Sequence, residues 1–264
     1  MRSIIFLLCL LPAAAFGQVK NSIEAAEYDP DNNRYFVSNG SSVLVTEDGG
    51  DTWEFFGDAA ASHGMEVLNN TLYVISGTQL KGYDLASAEE VMTLSIPGVQ
   101  FLNGMGNDGD HRLFVTDFNG SKIYEVDVTD NANPLYTEII SNTASTPNGL
   151  TVDLANNRAV FVNWYGNSDI KAFDLDDYTM STVLNNSGLG NCDGIDIDND
   201  GNFYVSSWSP QQITKFNNDF SVSEVITAPG LSNPADISYA LETDTLAIAN
   251  SGSDEVTFIY LGLV

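Results

Sequence analysis

The sequence predicts an all-β fold, a six-bladed β-propeller, and three observations support this prediction. Short runs rich in β-branched and aromatic residues, such as 113–115 and 203–205, are separated by clusters of Asn, Asp and Gly. Apolar patterns of helical length are few. A unit of about 40 residues recurs six times, and four antiparallel strands in a unit of about this length are typical of a propeller blade.

The repeat is clearest at a short element that begins the first strand of each unit. The copies that begin at residues 103, 148 and 193 are spaced by 45 residues, and the other spacings are 39 or 40. A β-sandwich would not require so regular a repeat. The six copies are Glu24-Ala25-Ala26, His63-Gly64-Met65, Asn103-Gly104-Met105, Asn148-Gly149-Leu150, Asp193-Gly194-Ile195 and Asn233-Pro234-Ala235.

The rest of each unit supplies the remaining strands of a blade. A turn follows the first element, then a strongly apolar strand, then a third strand, and several units add a fourth. Too few residues precede the first copy to form an outer strand and also cross to the centre. We therefore expect the last blade, which ends near residues 256–261, to have three strands, and residues 18–264 to form one propeller domain.

The first 17 residues have the pattern of a signal peptide. Arg2 is followed by an apolar run at residues 4–11 and by small residues at 13–17, and the run is too short to span a bilayer. A retained anchor is the alternative. The pattern predicts a secreted or periplasmic protein. Because Cys9 would leave with the signal, Cys192 would be the one remaining cysteine, and a buried thiol is favoured over a nucleophile.

The charge of the chain limits its partners. The formal net charge is -27, and removal of Arg2 would change it to -28. Such an acidic surface repels nucleic acid and anionic lipid. We therefore expect neither nucleic acid nor a membrane as a partner. The surface favours cations, but a solvated acidic surface is the preferred explanation of the charge over a specific cationic partner. A monomer is expected.

The first residue of each copy carries the prediction of a site. In a propeller the first strand of each blade lines the central channel, so the six polar residues at this position would form a ring. Carboxylate and amide oxygens that converge from several blades suit a hard cation such as calcium, or another divalent cation. The alternative is that polar residues merely line a wet channel. The ring comprises Glu24, His63, Asn103, Asn148, Asp193 and Asn233.

At these residues the chain resembles the regucalcin/gluconolactonase family and, more distantly, the paraoxonase lactonases, which are six-bladed propellers. Pro147-Asn148-Gly149 resembles the family's Pro-Asn-Gly element, and Asp193-Gly194 resembles its Asp-Gly blade start. Asn103-Gly104 and Glu24 stand where the family has an Asn-Asp-Gly and its first-blade Glu. The resemblance implies that Glu24, Asn148 and Asp193 are metal ligands and that Asn103 contacts the metal or the substrate.

Departures from the family pattern point to a different substrate. Phe101-Leu102 precedes Asn103 where sugar-lactone enzymes place an arginine, so an apolar or aromatic acyl group would fit better than gluconate. Paraoxonase-type lactonases use a histidine near their calcium as a base for water, which by resemblance makes His63 the catalytic candidate. The alternative is a histidine that lines the channel without chemistry. Asn233, Trp164 and Trp208 are further candidates for substrate contact.

The remaining motifs are predicted to be structural. Residues 46–53 match the Asp-box, a hairpin turn on the outer part of a blade. Arg34, Arg112 and Arg158 stand in equivalent turns between first and second strands, and His111 lies in a surface turn. The leading hypothesis is therefore a calcium-dependent hydrolase that acts on a small lactone or ester. The alternative is a non-catalytic propeller that binds a protein or glycan, with its metal structural or absent.

Overall fold

The structure, a computed structural model, describes residues 19–262. It confirms the predicted six-bladed β-propeller, with one short 3₁₀ turn at Leu154–Asn156 as the helical element of the described residues. No helix in this range is long and apolar enough to cross a membrane. The predicted signal peptide, residues 1–17, lies outside the described residues.

The first three blades are four-stranded antiparallel sheets in simple sequential order. Blade 1 contains β1 (Ile23–Asp29), β2 (Arg34–Asn39), β3 (Ser42–Thr46) and β4 (Glu54–Phe55). Blade 2 contains β5 (Met65–Leu68), β6 (Thr71–Ser76), β7 (Gln79–Asp84) and β8 (Glu90–Ser95). Blade 3 contains β9 (Leu102–Asn107), β10 (Arg112–Asp117), β11 (Lys122–Asp127) and β12 (Leu135–Ile140).

Blades 4 and 5 are also four-stranded, whereas the last blade has three strands, as expected. Blade 4 contains β13 (Pro147–Asp153), β14 (Arg158–Asn163), β15 (Ile170–Asp174) and β16 (Met180–Leu184). Blade 5 contains β17 (Gly190–Ile197), β18 (Phe203–Ser209), β19 (Gln211–Phe216) and β20 (Ser223–Ile226). Blade 6 has three strands, β21 (Pro234–Ala240), β22 (Thr245–Asn250) and β23 (Glu255–Tyr260), which confirms the expectation for the end of the chain.

The hydrophobic core is divided among the interfaces between blades. Six clusters of buried side chains each join two neighbouring blades, including one that joins blade 6 to blade 1. The second strands are buried over nearly their whole length, whereas an outer strand such as β12 is mostly exposed. A single blade would leave both faces wet, so the ring buries what one sheet cannot.

The three arginines of the first-to-second-strand turns are structural, as predicted. Each guanidinium pairs with the aspartate that begins the same turn and donates to a backbone carbonyl of the next blade. The pairs are Arg34 with Asp29, Arg112 with Asp108, and Arg158 with Asp153, at 2.8, 2.7 and 2.9 Å. The Asp-box likewise forms the hairpin turn between β3 and β4, where the Asp48 carboxylate accepts hydrogen bonds from Thr46 and Thr52.

Candidate functional site

A β-bulge at the same place in the first strand of five blades sets which side chains face the channel. The antiparallel register shifts between Ile23 and Ala26, and the corresponding shifts lie in β9, β13, β17 and β21. Glu24, Asn103, Asn148 and Asp193 all lie inside the shift. His63 joins this set because the Gly64 N–H donates to the Asn103 carbonyl oxygen at 3.0 Å.

The sixth member of the predicted ring is wrong by two residues. Pro234 pairs with Asn250 as Pro147 pairs with Asn163, so Ala235, and not Asn233, occupies the position of Asn148. The sequence pattern favours Asn233 because it is polar and lies 40 residues after Asp193, a spacing shared by other copies. Asp236 then stands where the other blades have a small residue. The ring of this structure is therefore Glu24, His63, Asn103, Asn148, Asp193 and Ala235.

Buried hydroxyl groups of the second strands hold the ring residues in place. Ser206 Oγ accepts from the Gly194 N–H at 2.7 Å and donates to the Ala235 carbonyl of the next blade at 2.6 Å. Thr116 makes the same pair of contacts, from the Gly104 N–H at 2.8 Å and to the Asn148 carbonyl at 2.9 Å. These bonds cross the blade interface beside the bulge, so they fix the direction in which the ring side chains point.

Glycine after the ring position allows the blades to approach. A Cβ on Gly64 would lie 2.7 Å from the Asn103 carbonyl oxygen, closer than a carbon atom can come without displacing the backbone. Gly104 and Gly149 face the carbonyl oxygens of Asn148 and Asp193 still more closely. The small residues that the sequence repeats at this position are therefore a packing requirement of the channel.

Asp193 and Glu24 are the two carboxylates of the ring. Asn148 Nδ2 donates to Asp193 Oδ1 at 3.1 Å. Burial, and then the Glu24 and Asp236 carboxylates, raise the pKa of Asp193 well above its ordinary value. Burial, and then the Asp254 carboxylate, raise the pKa of Glu24 to about 7. Each carboxylate therefore lies where a second negative charge is unfavourable and a cation is favourable.

His63 is a neutral imidazole that is oriented by a serine hydroxyl. Its Nδ1 lies 2.9 Å from the Ser62 hydroxyl oxygen, which accepts from the Gly77 N–H and donates to the Ile75 carbonyl oxygen at 3.3 Å. The serine hydroxyl therefore fixes the direction of the imidazole ring, and the direction of the hydroxyl proton sets which ring nitrogen carries the imidazole proton. Burial lowers the pKa of His63 to about 4, so the ring is uncharged at neutral pH.

Five aromatic rings form an arc around the same end of the channel. Successive ring centroids are 4.7 to 6.1 Å apart, three of the four contacts are edge-to-face, and every member is half-buried. Trp208 Nε1 has no hydrogen-bond partner, and it lies close enough to the Asp193 carboxylate to lower the pKa of that group slightly. This aromatic arc comprises His63, Phe101, Phe118, Trp164 and Trp208. The arc and the ring residues together form the aromatic mouth.

Sequence reasoning found four members of this arc and missed Phe118. It directly follows β10, whose last residue Asp117 pairs with Leu102, so its place matches that of Trp164 after β14. The signal was therefore present as an aromatic residue just after the second strand. Of the earlier substrate-contact candidates, Phe101, Trp164, Trp208 and Asn103 are together at the aromatic mouth. The Asn233 N–H donates instead to Gln211 Oε1 at 2.8 Å, outside the ring.

Four further carboxylates line the channel beyond the ring, and one of them, Asp236, lies near enough to the ring to add to the effect of burial in raising the pKa of Asp193. They surround a cavity of about 220 Å³ and are named here the acidic collar, which comprises Glu27, Glu66, Asp196 and Asp236. Glu27, Glu66 and Asp196 each come three residues after a ring residue, and this spacing is visible in the sequence. Burial is the largest cause that raises the pKa of each, to about 6 for Asp196 and about 8 for Asp236.

The donor set of the aromatic mouth suits a divalent cation. Two carboxylates and two amide side chains provide oxygen ligands, and the ring has no Lys or Arg to neutralise them. Among residues 19–262, no group of three or more His, Cys, Asp and Glu side chains is placed to hold a metal ion. A cation here would therefore depend on the amides and on water to complete its coordination.

Cys192 and His111 take no part in the site, as predicted. The Cys192 thiol is fully buried beside the Ser168 hydroxyl at 3.3 Å, and burial raises its pKa to about 11. His111 is exposed and contacts the Asp110 carboxylate at 2.8 Å. Neither side chain has the environment of a nucleophile or base.

The comparisons with known proteins bear on the fold. No protein-family model matches the sequence, and a search of curated proteins finds no match. A structural genomics protein of unknown function from Bacteroides thetaiotaomicron superposes with a TM-score of 0.71 at 13% identity, over 90% of this chain and 69% of that one.

Two further solved structures are similar over most of the chain. One comes from a nidogen/laminin complex, with a TM-score of 0.65 at 13% identity, over 84% of this chain and 90% of that one. The other is a streptogramin B lyase, with a TM-score of 0.64 at 12% identity, over 93% of this chain and 85% of that one. At such identities the likeness shows the fold alone, so the protein is a six-bladed β-propeller whose chemistry must be argued from its own residues.

Proposed function

We propose that this protein is a divalent-cation-dependent hydrolase that acts on a lactone or ester at the aromatic mouth. The observation that carries the proposal is a pair of ring carboxylates, Glu24 and Asp193. Burial and then the charge of Glu24 raise the pKa of Asp193, and the ring contains no Lys or Arg that would neutralise the two groups. Neutral His63 and the aromatic arc lie beside this pair. The resemblance to the regucalcin/gluconolactonase family supports the same assignment.

Glu24, Asp193, Asn148 and Asn103 would hold the cation, with calcium the first candidate. Asn148 would then present its amide oxygen in place of Nδ2. A bound cation supplies Lewis acidity toward the substrate carbonyl. The protein's own contribution is to fix these ligands by the hydroxyl bonds at the bulge and to exclude water on the aromatic side.

His63 would act on water through Nε2. Donation of Nδ1–H to Ser62 would leave the lone pair on Nε2, the nitrogen that would accept the proton. The aromatic arc would bind the apolar part of the substrate, because half-buried rings without a polar partner gain most from covering an apolar group. Ester hydrolysis consumes one water and releases an acid and an alcohol, so no redox partner is required.

The proposal extends to the protein's setting. The signal-like N-terminus and the acidic composition favour a secreted or periplasmic monomer whose partner is a small molecule. One of the similar structures is by its name a lyase, so the fold carries catalysis in at least that protein. A second candidate function, a binding propeller, is favoured by the half-exposed aromatic arc and by the similar structure from a nidogen/laminin complex.

The decisive experiment is a hydrolysis panel on purified protein. Aliphatic lactones, aryl esters and alkyl esters are assayed with calcium and with a chelator, for the wild type and two matched variants. We expect calcium-dependent turnover that falls by about 10³-fold in Asp193→Asn, because several kcal/mol of metal stabilisation are lost. Asp196→Asn, three residues away on the same strand, should keep activity within a few-fold.

The panel also separates the two candidate functions. Turnover that persists unchanged in chelator would exclude the metal-dependent mechanism. Absence of turnover for the whole panel, together with calcium binding that requires Asp193, would favour the binding propeller.

A further inference from the structure

The seam between blade 6 and blade 1 closes the ring without a shared strand. Blade 1 takes all four of its strands from residues 23–55, and blade 6 takes its three from residues 234–260. Within the described residues the two ends of the propeller therefore meet through packing, isolated hydrogen bonds and the ion pair between Lys20 and Glu255. Every other pair of neighbouring blades is also joined by the continuous chain.

The contacts of this seam fall at three depths. On the outer side, Phe258 packs edge-on against Tyr35, with ring centroids 4.9 Å apart. At the aromatic mouth, the Ile23 N–H donates to Asp254 Oδ1 at 3.1 Å. At the acidic collar, the Tyr28 N–H donates to Ser238 Oγ at 3.1 Å, and this hydroxyl donates to Glu27 at 3.1 Å.

Glu27 connects three blades through this last contact. Its Oε2 accepts from Ser238 of blade 6, and its Oε1 accepts from the Val67 N–H of blade 2 at 2.8 Å. The connection continues around the channel, because Asn107 of blade 3 donates to the Glu66 carboxylate of blade 2. Glu27 is thus the point where the seam is tied to the rest of the ring.

Asp196 of blade 5 makes the corresponding connection on the other side of blade 6. The Tyr239 N–H of blade 6 donates to Asp196 Oδ2 at 2.6 Å, and Thr151 of blade 4 donates to its Oδ1 at 3.2 Å. Carboxylates therefore fasten blade 6 to both of its neighbours. This role requires them to lie close together in one cavity.

The charged groups of this cavity are of one sign. β1, β5, β17 and β21 contribute the four collar carboxylates, and β9 and β13 contribute only the uncharged Asn107 and Thr151. The exposed Glu242 lies at the rim, and among the described residues no Lys, Arg or His lines the cavity. Full ionisation would place four negative charges around about 220 Å³.

We propose that the acidic collar is a pH-sensitive closure of the ring, in which Glu27 ties blade 6 to blades 1 and 2 and the mutual repulsion of the ionised collar carboxylates loosens this seam. The closure differs from the proposed hydrolytic site because Glu27 and Glu66 lie three residues beyond the ring residues Glu24 and His63, while Asp236 also faces the ring carboxylate Asp193. Burial is the main cause that raises the pKa of both glutamates, and the other collar carboxylates add to it.

The direction of the effect follows from these shifts. A carboxyl group whose pKa is higher in the folded state binds more protons there than in the unfolded chain, so its contribution to stability is complete at low pH. That contribution is lost as the pH rises from the ordinary value near 4.5 through the raised value. The protein should therefore be more stable at pH 5 than at pH 8.5, and blade 6 should loosen first.

The test measures thermal unfolding from pH 5 to pH 8.5 in chelator, so that no metal contributes. We expect the wild-type Tm to fall by about 5–10 °C over this range. Glu66→Gln keeps an amide oxygen for Asn107 but cannot ionise, so it should raise Tm at pH 8.5 and reduce the slope. Glu27→Gln should do the same, and exposed Glu242→Gln should leave the wild-type slope.

A local measurement separates seam opening from general destabilisation. Hydrogen exchange, corrected for its intrinsic pH dependence, should show that β21 and β1 lose protection at pH 8.5 before β9 and β10 do. Equal loss in blades 3 and 6, or a wild-type slope in both glutamine variants, would overturn the proposal. Because hydrolysis is not the readout, this outcome is independent of whether the aromatic mouth is catalytic.

Discussion

Glu24 and Glu27 lie three residues apart on β1, yet they belong to the two chemically different ends of the channel. Near Glu24, at the aromatic mouth, two carboxylates share the site with amides, a neutral histidine and an arc of aromatic rings. Near Glu27, at the acidic collar, every carboxylate accepts hydrogen bonds from backbone N–H or polar side chains, most of them on neighbouring blades. The aromatic mouth has partly exposed rings that a ligand could contact. The acidic collar uses its polar groups to connect blades.

The difference teaches how a β-strand can present polar residues at both ends of one channel. In a regular strand, residues two apart share a face, and residues three apart point to opposite faces. The bulge after the ring position changes this alternation, so that residues i and i+3 both point inward. Glu24 with Glu27, and Asp193 with Asp196, are two pairs of this kind.

The comparison predicts that calcium stabilises the fold only through the aromatic mouth. Calcium at 100 times its dissociation constant should raise the free energy of unfolding by about 2.7 kcal/mol. Asp193→Asn removes one of the two ring carboxylates and should abolish most of this rise, as followed by Tm during a calcium titration of chelator-treated protein. Asp196→Asn should keep it. Equal responses in the two variants would show that calcium binds elsewhere.

The two histidines allow a second test of the aromatic mouth. His63→Gln should lower hydrolysis by about 10²-fold, the low end for a general base, because a pKa of about 4 makes the imidazole a weak one. Calcium affinity should be nearly unchanged. Since His63 is deprotonated above about pH 5, wild-type turnover should not depend on its titration between pH 6 and pH 8.

The control for this variant is the surface histidine. His111→Gln removes an exposed side chain that contacts only Asp110 and should behave as the wild type. If both histidine variants keep full turnover, His63 lines the channel without chemical function.

Much of this architecture could be predicted from the sequence, and the parts that could not have physical reasons. Blade number, the short last blade and five ring positions follow from a repeat that returns every 39 to 45 residues. Asn233 was misplaced because a polar residue at the repeat spacing also occurs two positions early in blade 6. The correct register depends on the pairing of Pro234 with Asn250, which involves no local pattern.

The acidic collar was missed for a different reason. Regular alternation assigns Glu27 and Asp196 to the face opposite Glu24 and Asp193, and a bulge cannot be located without its partner strand. Phe118 stands just after β10 at the position of Trp164 after β14, but this equivalence does not by itself show that the two rings touch. Its proximity to Phe101 and Trp164, at 5.6 and 6.1 Å between ring centroids, arises only when neighbouring blades are packed together.

The smallest expected effect tests whether the aromatic arc acts as one binding surface. Phe118 joins the rings of blade 3 to Trp164 of blade 4, and an aromatic contact of this kind is worth about 0.5–1.5 kcal/mol. Phe118→Ala should therefore raise KM for an aryl ester by about 2- to 10-fold while kcat stays nearly constant. The reason is that the Phe118 ring packs against Phe101 and Trp164 and not against the proposed reacting groups. The same substitution at Phe55, half exposed on the outer strand β4, should leave KM unchanged. A larger fall in kcat than rise in KM would mean that Phe118 positions the reacting groups, and an unchanged KM would separate the arc into independent rings.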